Sequence, residues 1–378
     1  MTKKRIKLFD CSRSKKDLSQ LLPLFKKGHL ASGSEVNTLE RKLSRFLGIN
    51  NVLTFSDMTN ALALLMRVIG VEKGDEILCC SFNCLSSTSA IDNVGAKTVW
   101  VDIKDDYPEM CIQDCKNKIT KKTKAILLYH VAGYPSRAKD FKKLCRKYNL
   151  ILIEDANNSL GATTEGDLVG TIGDFSLFSF YPNRQVASIE GAAIAFRNSK
   201  FRLDLERLRK YGINQSNFRN NIGEINTRSN VYSLSLNYSL SNINASLANQ
   251  SFSSLKRRIT QVRKNASRYK KGFLNSKDIN QLSIPNSSKP VFWAYMIRMS
   301  NSDELIKMLH SNNIEASKLH YPNHNYSAFS STKINTSTLQ STNKFFKDLI
   351  CLPCGWWLSD KDIDRTISLV RKLKGFER

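Results

Sequence analysis

Residues 173–196 read GDFSLFSFYPNRQVASIEGAAIAF. Two strand-like apolar runs, FSLFSFY and GAAIAF, enclose a polar turn that holds Pro182, Asn183 and Arg184. Small residues follow the turn, where a backbone can approach a ligand closely. The stretch has the make-up of a loop that anchors a cofactor at a strand end. At its centre, where a chemically reactive residue is expected, stands an arginine.

The neighbouring sequence places this loop in a sheet. Strand-like runs recur at NVLTFS (51–56), DEILCCSF, AKTVWVDI, TKAILLYHV and LILIEDA. Helical segments separate several of them. Val36, Leu39, Leu43, Phe46 and Leu47 fall on one helical face within 36–47, and Gly48 supplies a stop. Residues 59–70 form an apolar helix and 139–149 an amphipathic one. Strands that alternate with helices predict an α/β fold with a mainly parallel sheet covered on both faces, over roughly residues 30–240.

Beyond it, Leu255, Ile259, Val262, Ala266, Tyr269 and Phe273 step by four and three, so 244–275 reads as one long helix with basic solvated faces. A loop at 282–290 and a smaller α/β unit follow. The Ser/Asn/Thr-rich stretch 323–343 reads as a surface loop. The expected division is 1–243 for the large domain and 244–378 for the linking helix and small domain.

Composition bounds the function. The chain has 378 residues and a net charge of +25, from 58 basic against 33 acidic residues. That surplus suits nucleic acid, anionic lipid or a sugar-nucleotide diphosphate, though charge spread over a solvated surface is the simpler expectation. No basic–aromatic, zinc-finger or helix-turn-helix signature supports nucleic-acid binding. No apolar run has the roughly 20 residues of a membrane helix. The basic N-terminus lacks a signal peptide's apolar stretch, and a cytoplasmic protein is expected. Nine scattered cysteines fit free thiols, and the Cys351–Cys354 CxxC has no second ligand pair for zinc.

Four features mark a candidate site. Asp155 ends LILIEDA, and carboxyl ends of parallel strands face the ligand crevice of such sheets. SDMTNAL (56–62) is a strand-to-helix turn whose free N–H groups suit phosphate. Ser179 ends another strand, and NYSLSNINAS (237–246) opens a helix with polar caps.

Their order resembles the DegT/DnrJ/StrS sugar aminotransferases. These enzymes of fold type I use pyridoxal 5'-phosphate to aminate keto sugars on nucleotide carriers. The resemblance runs through SGSEVNTLERKLSRFLGINNVLTFS, VEKGDEILCCSFN, VGAKTVWVDI, KTKAILLYHVAGYP, IEDANNSLGAT, the opening stretch, LNYSLSNINAS, KLHYP and CLPCGWWLSDKDID. It implies a seven-stranded large domain, a smaller C-terminal α/β domain and a homodimer with sites at the interface. It puts the pyridine-nitrogen partner on Asp155, the phosphate ligands on Ser179 and Thr59, and a phosphate-reaching asparagine from the neighbouring subunit on Asn237.

Other positions depart from the family pattern. Met58, after Asp57, stands where a small residue lets phosphate approach. Bulk and negative charge there both oppose a dianion. Cys84 replaces the aromatic that stacks on the ring, and Asn158 replaces a glutamine. Ala192 replaces the second glycine after Glu190 and Gly191. The resemblance puts the Schiff-base lysine on Arg184.

A guanidinium stays protonated and cannot form an aldimine. No lysine lies between Lys147 and Lys200. Relatives with histidine there act as sugar dehydratases, and arginine is too weak a base for that role as well. Arg184 is therefore expected either to pair with Asp155 across the pocket or to hold an anion. Three functions stay open. The first is a protein of nucleotide-sugar and O-antigen-type polysaccharide (lipopolysaccharide) synthesis that has lost transamination. The second is a pseudoenzyme subunit paired with itself or an active relative. The third is an enzyme using pyridoxal or pyridoxamine phosphate non-covalently.

Overall fold

A computed structural model of the chain describes residues 4–12, 15–329 and 338–372. The strands, in chain order, begin with β1 (Asn51–Phe55), β2 (Glu76–Cys80), β3 (Lys97–Val101), β4 (Thr123–Tyr129) and β5 (Ile151–Asp155). They continue with β6 (Thr163–Thr164), β7 (Asp167–Leu168), β8 (Phe175–Ser179) and β9 (Ala192–Phe196). The central sheet has seven strands in the order β1-β9-β8-β5-β4-β2-β3. Pairings from β3 through β8 are parallel, whereas β9 runs antiparallel to both β8 and β1.

That single reversal comes from the loop 180–191, which joins β8 to its neighbour β9 without a crossover helix. Every residue of β1, β8 and β9 is buried. Burial on both faces is why these strands carry near-continuous apolar runs rather than alternation.

Helices cover the sheet where the apolar spacing places them. The helix Ser34–Leu47 buries Leu39, Leu43 and Leu47 and ends on Gly48 in the left-handed region. Each such leucine contributes about 1.5–3 kcal/mol of transfer free energy. Met58–Val68 and Ala138–Tyr148 match the two further helices read from the sequence.

The long helix is corrected. It is two helices, Asn242–Ser253 and Leu255–Gly272, which meet at Ser254 (φ −96°, ψ −2°). The cause is local. Ser253 Oγ bonds back to the Asn249 carbonyl, and Ser251 Oγ accepts from the amide of Ala187. Serine side chains here compete with the helical ladder. The apolar stripe survives, with Leu255, Ile259, Val262, Ala266 and Tyr269 buried and Phe273 packed just past the helix end.

A second sheet joins β10 (Asn280–Gln281), β12 (Tyr295–Arg298) and β13 (Leu349–Leu352), while β11 (Ser288–Lys289) pairs with β6. The loop expected at 282–290 thus contains one short strand. The stretch 323–343 is also corrected. Asn323 and Phe329 are buried, and Gln340–Asp348 is a helix. Asn323 Nδ2 donates to the carbonyls of Ser81 (3.2 Å) and Asn83 (2.7 Å), and its Oδ1 accepts from Thr88. These bonds tie the segment to the sheet. Residues 330–337 of that stretch lie outside the described residues. Among the described residues no helix is long and apolar enough to cross a membrane.

Candidate functional site

Tyr129, Asp155 and Ser179 end the strands β4, β5 and β8, so all three reach the carboxyl edge of the parallel sheet. Open α/β sheets form their ligand crevices at this edge. The Tyr129 hydroxyl marks the centre. It accepts a hydrogen bond from Asn158 Nδ2 (3.0 Å) and lies 3.1 Å from His320 Nε2. Cys84, Asp155 and Arg184 all lie close enough to influence it. Three separate stretches of sequence, around Cys84, Asp155–Asn158 and Arg184, are therefore gathered around one phenol. Burial pushes Tyr129 well above the usual range of a phenol. Burial first, and Arg184 second, push His320 down to about 3, so its ring is neutral.

Asp155 is fully buried and well bonded. Its Oδ2 accepts from Ser87 Oγ (2.7 Å), and its Oδ1 accepts from the Asn157 amide (3.2 Å) and Asn157 Nδ2 (2.9 Å). Burial outweighs these bonds and raises its pKa from the ordinary carboxylate value.

Arg184 was expected within salt-bridge reach of Asp155, and the structure overturns this. No such pair occurs among the described ion pairs. The carboxylate is already served by Ser87 and Asn157, and the guanidinium is held elsewhere. Arg184 Nη1 donates to Asn183 Oδ1 (2.5 Å), and its Cζ lies 4.6 Å from the Trp293 ring centroid and 5.9 Å from that of Tyr181. Burial lowers its pKa.

The second part of the site lies where β8, β9 and β1 end together. Ala192 pairs with Ser179 on one side and Phe55 on the other. Ser179 is nearly buried, and its Oγ accepts from the Tyr181 amide (3.2 Å). Thr59 is half-buried in the first turn of the helix Met58–Val68. Met58 is buried within the main core, so its bulk is spent on packing. Asp57 caps the helix. Its carboxylate accepts from the Asn60 amide (2.9 Å), from Asn60 Nδ2 and from Ser56 Oγ (3.2 Å). A helix end is a ready anion site, and here the Asp57 carboxylate already takes one of its free amides.

Exposed Glu190 belongs to the same neighbourhood. Burial, then the charge of Asp57, raises its pKa, and Arg184 lowers it. Gly191 has φ +149°, and a Cβ there would meet Leu240 Cδ1 at 2.8 Å. Ala192 is an ordinary buried strand residue.

Cys84 is the residue before the helix Leu85–Asn93, and its Sγ lies 3.0 Å from Ser86 Oγ. Asn237 is exposed, with its Oδ1 turned back onto the Ser239 amide (3.1 Å). It sits beside the β1 end, because the Ser56 amide donates to the Tyr238 carbonyl (2.7 Å). Ser87, Asn157, Trp293 and His320 were missed as site residues from sequence. His320 lies inside KLHYP, a stretch of the family resemblance whose histidine was given no role.

A mainly parallel seven-stranded sheet with polar side chains at its carboxyl edge is the arrangement of an α/β ligand-binding fold. Residues 12–371 match the DegT/DnrJ/EryC1/StrS aminotransferase family, and the chain belongs to it. It is 27% identical over 373 residues to a dTDP-3-amino-3,4,6-trideoxy-alpha-D-glucose transaminase of Micromonospora megalomicea subsp. nigra, covering 97% of each chain. It is 34% identical over 182 residues to the GDP-perosamine synthase of Vibrio cholerae, covering 48% of this chain and 49% of that one. The aminotransferase TlmJ from Streptoalloteichus hindustanus superposes with a TM-score of 0.90 at 23% identity over 99% of this chain and 100% of that one, a likeness of fold.

The family cofactor is pyridoxal 5'-phosphate. The residues gathered here do not fit it as a covalently held group. They include a carboxylate suited to a ring nitrogen and a strand-end hydroxyl. They include no lysine amine, no aromatic at Cys84, and a phosphate end already capped by Asp57.

Proposed function

We propose that this chain serves nucleotide-sugar metabolism for surface polysaccharides as a binding protein that has given up transamination. Arg184 carries the reading. In it, the residue at the family's Schiff-base position is a guanidinium that neither condenses with an aldehyde nor releases a proton near neutral pH. Its fixed stacking on Trp293 supports this, since the side chain is held as a cation and not as a mobile base. Asp155, Ser179 and Thr59 keep the outline of the site. The protein acts in the cytoplasm, where nucleotide sugars are made.

A second reading adds a partner. Tyr232, Leu234 and Leu236 lie on the stretch that leads to Asn237 and are 81%, 79% and 67% exposed. Contiguous apolar exposure of this kind favours an interface. The chain pairs with itself or with an active relative, and Asn237 is offered across that contact.

Absorbance tests the first reading. Wild-type protein mixed with pyridoxal phosphate gives no aldimine band in the visible, whereas Arg184→Lys gives one if the remaining ligands suffice. A band in the wild type defeats the reading.

A further inference from the structure

Arg184 is 8% exposed. Taking an ion out of water costs several kcal/mol, so a guanidinium this deep ordinarily holds a carboxylate or phosphate in its fork. Here the fork is half empty. Nη1 is engaged by Asn183 Oδ1, while Nε is buried without an acceptor. No hydrogen bond from Nη2 is present among the described residues either. The plane is nevertheless fixed. Trp293 covers one face of the guanidinium, is itself stacked on Phe9 at 4.2 Å between ring centroids, and is tied by its Nε1 to the Asn183 carbonyl (2.8 Å). The arrangement holds the Nε–Nη2 edge still and leaves it unpartnered.

We propose that this Nε–Nη2 edge of Arg184 is a carboxylate-binding site, taking a small organic acid or the carboxylate arm of a larger ligand. Two parallel N–H···O bonds to a planar carboxylate match the geometry of the edge. Charge decides between carboxylate and phosphate. One monoanion balances one guanidinium. A phosphate dianion leaves a second charge unbalanced near Glu190, which already feels the charge of Asp57. Asp57 sits at the helix end and Glu190 just before β9, whereas the Arg184 cation is set against the Trp293 and Tyr181 rings. The proposal deepens the binding reading above and rests on it, because an adduct in the pocket would occupy the same space.

Titration calorimetry and melting curves with glucuronate, glutamate and inorganic phosphate test it, with glucose as the uncharged control. Wild type binds at least one of the two carboxylates saturably and gains melting temperature. Arg184→Gln weakens that binding about tenfold or more, as loss of charge-assisted bonds requires. Phosphate and glucose give no shift. A nitrogen-detected spectrum of the arginine Nε–H groups in the wild type reads the same event without a variant, as a shift of one buried resonance on adding the carboxylate. Absence of binding by both carboxylates, equal binding by Arg184→Gln, or tighter binding of phosphate overturns the proposal. The titrations contain no pyridoxal phosphate, so they succeed or fail separately from the absorbance test.

Discussion

Glu154 and Asp155 are neighbours on β5, both fully buried, and they face opposite sides of the sheet. Glu154 accepts from His130 Nε2 (3.0 Å) and from the amides of Gly170 (3.0 Å), Ile172 (2.8 Å) and Gly173 (2.6 Å). Burial works to raise its pKa, but the His130 bond and charge and the amides of Gly173 and Gly170 together hold it below the ordinary value. Asp155 has three bonds, from Ser87 and Asn157, and burial wins. One carboxylate is saturated by the fold and builds the turn at 170–173. The other, bonded by Ser87 and Asn157 at the crevice, keeps a raised pKa. A perturbed carboxyl in a crevice is how a site differs from a structural anchor when both are equally buried.

Removing each group separates the two roles. Glu154→Ala strands His130 and three amides and costs about 3–5 kcal/mol, read as a lower midpoint in urea. Asp155→Asn costs about 1 kcal/mol or less, since an amide replaces a carboxyl that burial already favours in its neutral form. Equal losses erase the distinction.

The pH dependence sharpens the same contrast with a smaller effect. Glu154 has a lowered folded pKa. Its contribution is present above the ordinary 4.5 and is lost as pH falls through the folded value. Asp155 has a raised folded pKa. Its contribution is present below the ordinary 3.8 and is lost as pH rises through the folded value. The two carboxyls therefore trend oppositely, in different windows. The deficit of Glu154→Gln against wild type grows as pH rises to the ordinary 4.5 and then levels off, whereas that of Asp155→Asn shrinks as pH rises above 3.8. Parallel trends contradict the assignment.

The smallest effect concerns Asp57. As a helix cap it is worth about 1 kcal/mol, so Asp57→Ala lowers the melting temperature by a few degrees. No change in melting temperature would leave its hydrogen bonds to Asn60 without weight.

The sheet was legible because parallel strands buried on both faces spell runs such as AILLY and ILIED. Asp155 and Ser179 were legible because they end such runs. What escaped depended on partners distant in the chain. The expected Arg184–Asp155 pair ignored Ser87, 68 residues before the aspartate, and the aromatic wall that Trp293 offers the arginine. The polar stretch after Pro322 reads as surface by composition, yet Asn323 is drawn inward by bonds to Ser81, Asn83 and Thr88. The break at Ser254 turns on side-chain bonds that propensity alone does not reveal.

The central claim is that no covalent cofactor chemistry takes place at Arg184. The direct measurement treats wild-type protein with pyridoxal phosphate, reduces it with borohydride and maps adducts by peptide mass spectrometry. The account predicts at most scattered, substoichiometric labelling of surface lysines and no single labelled site. One stoichiometric adduct on a single lysine would contradict it.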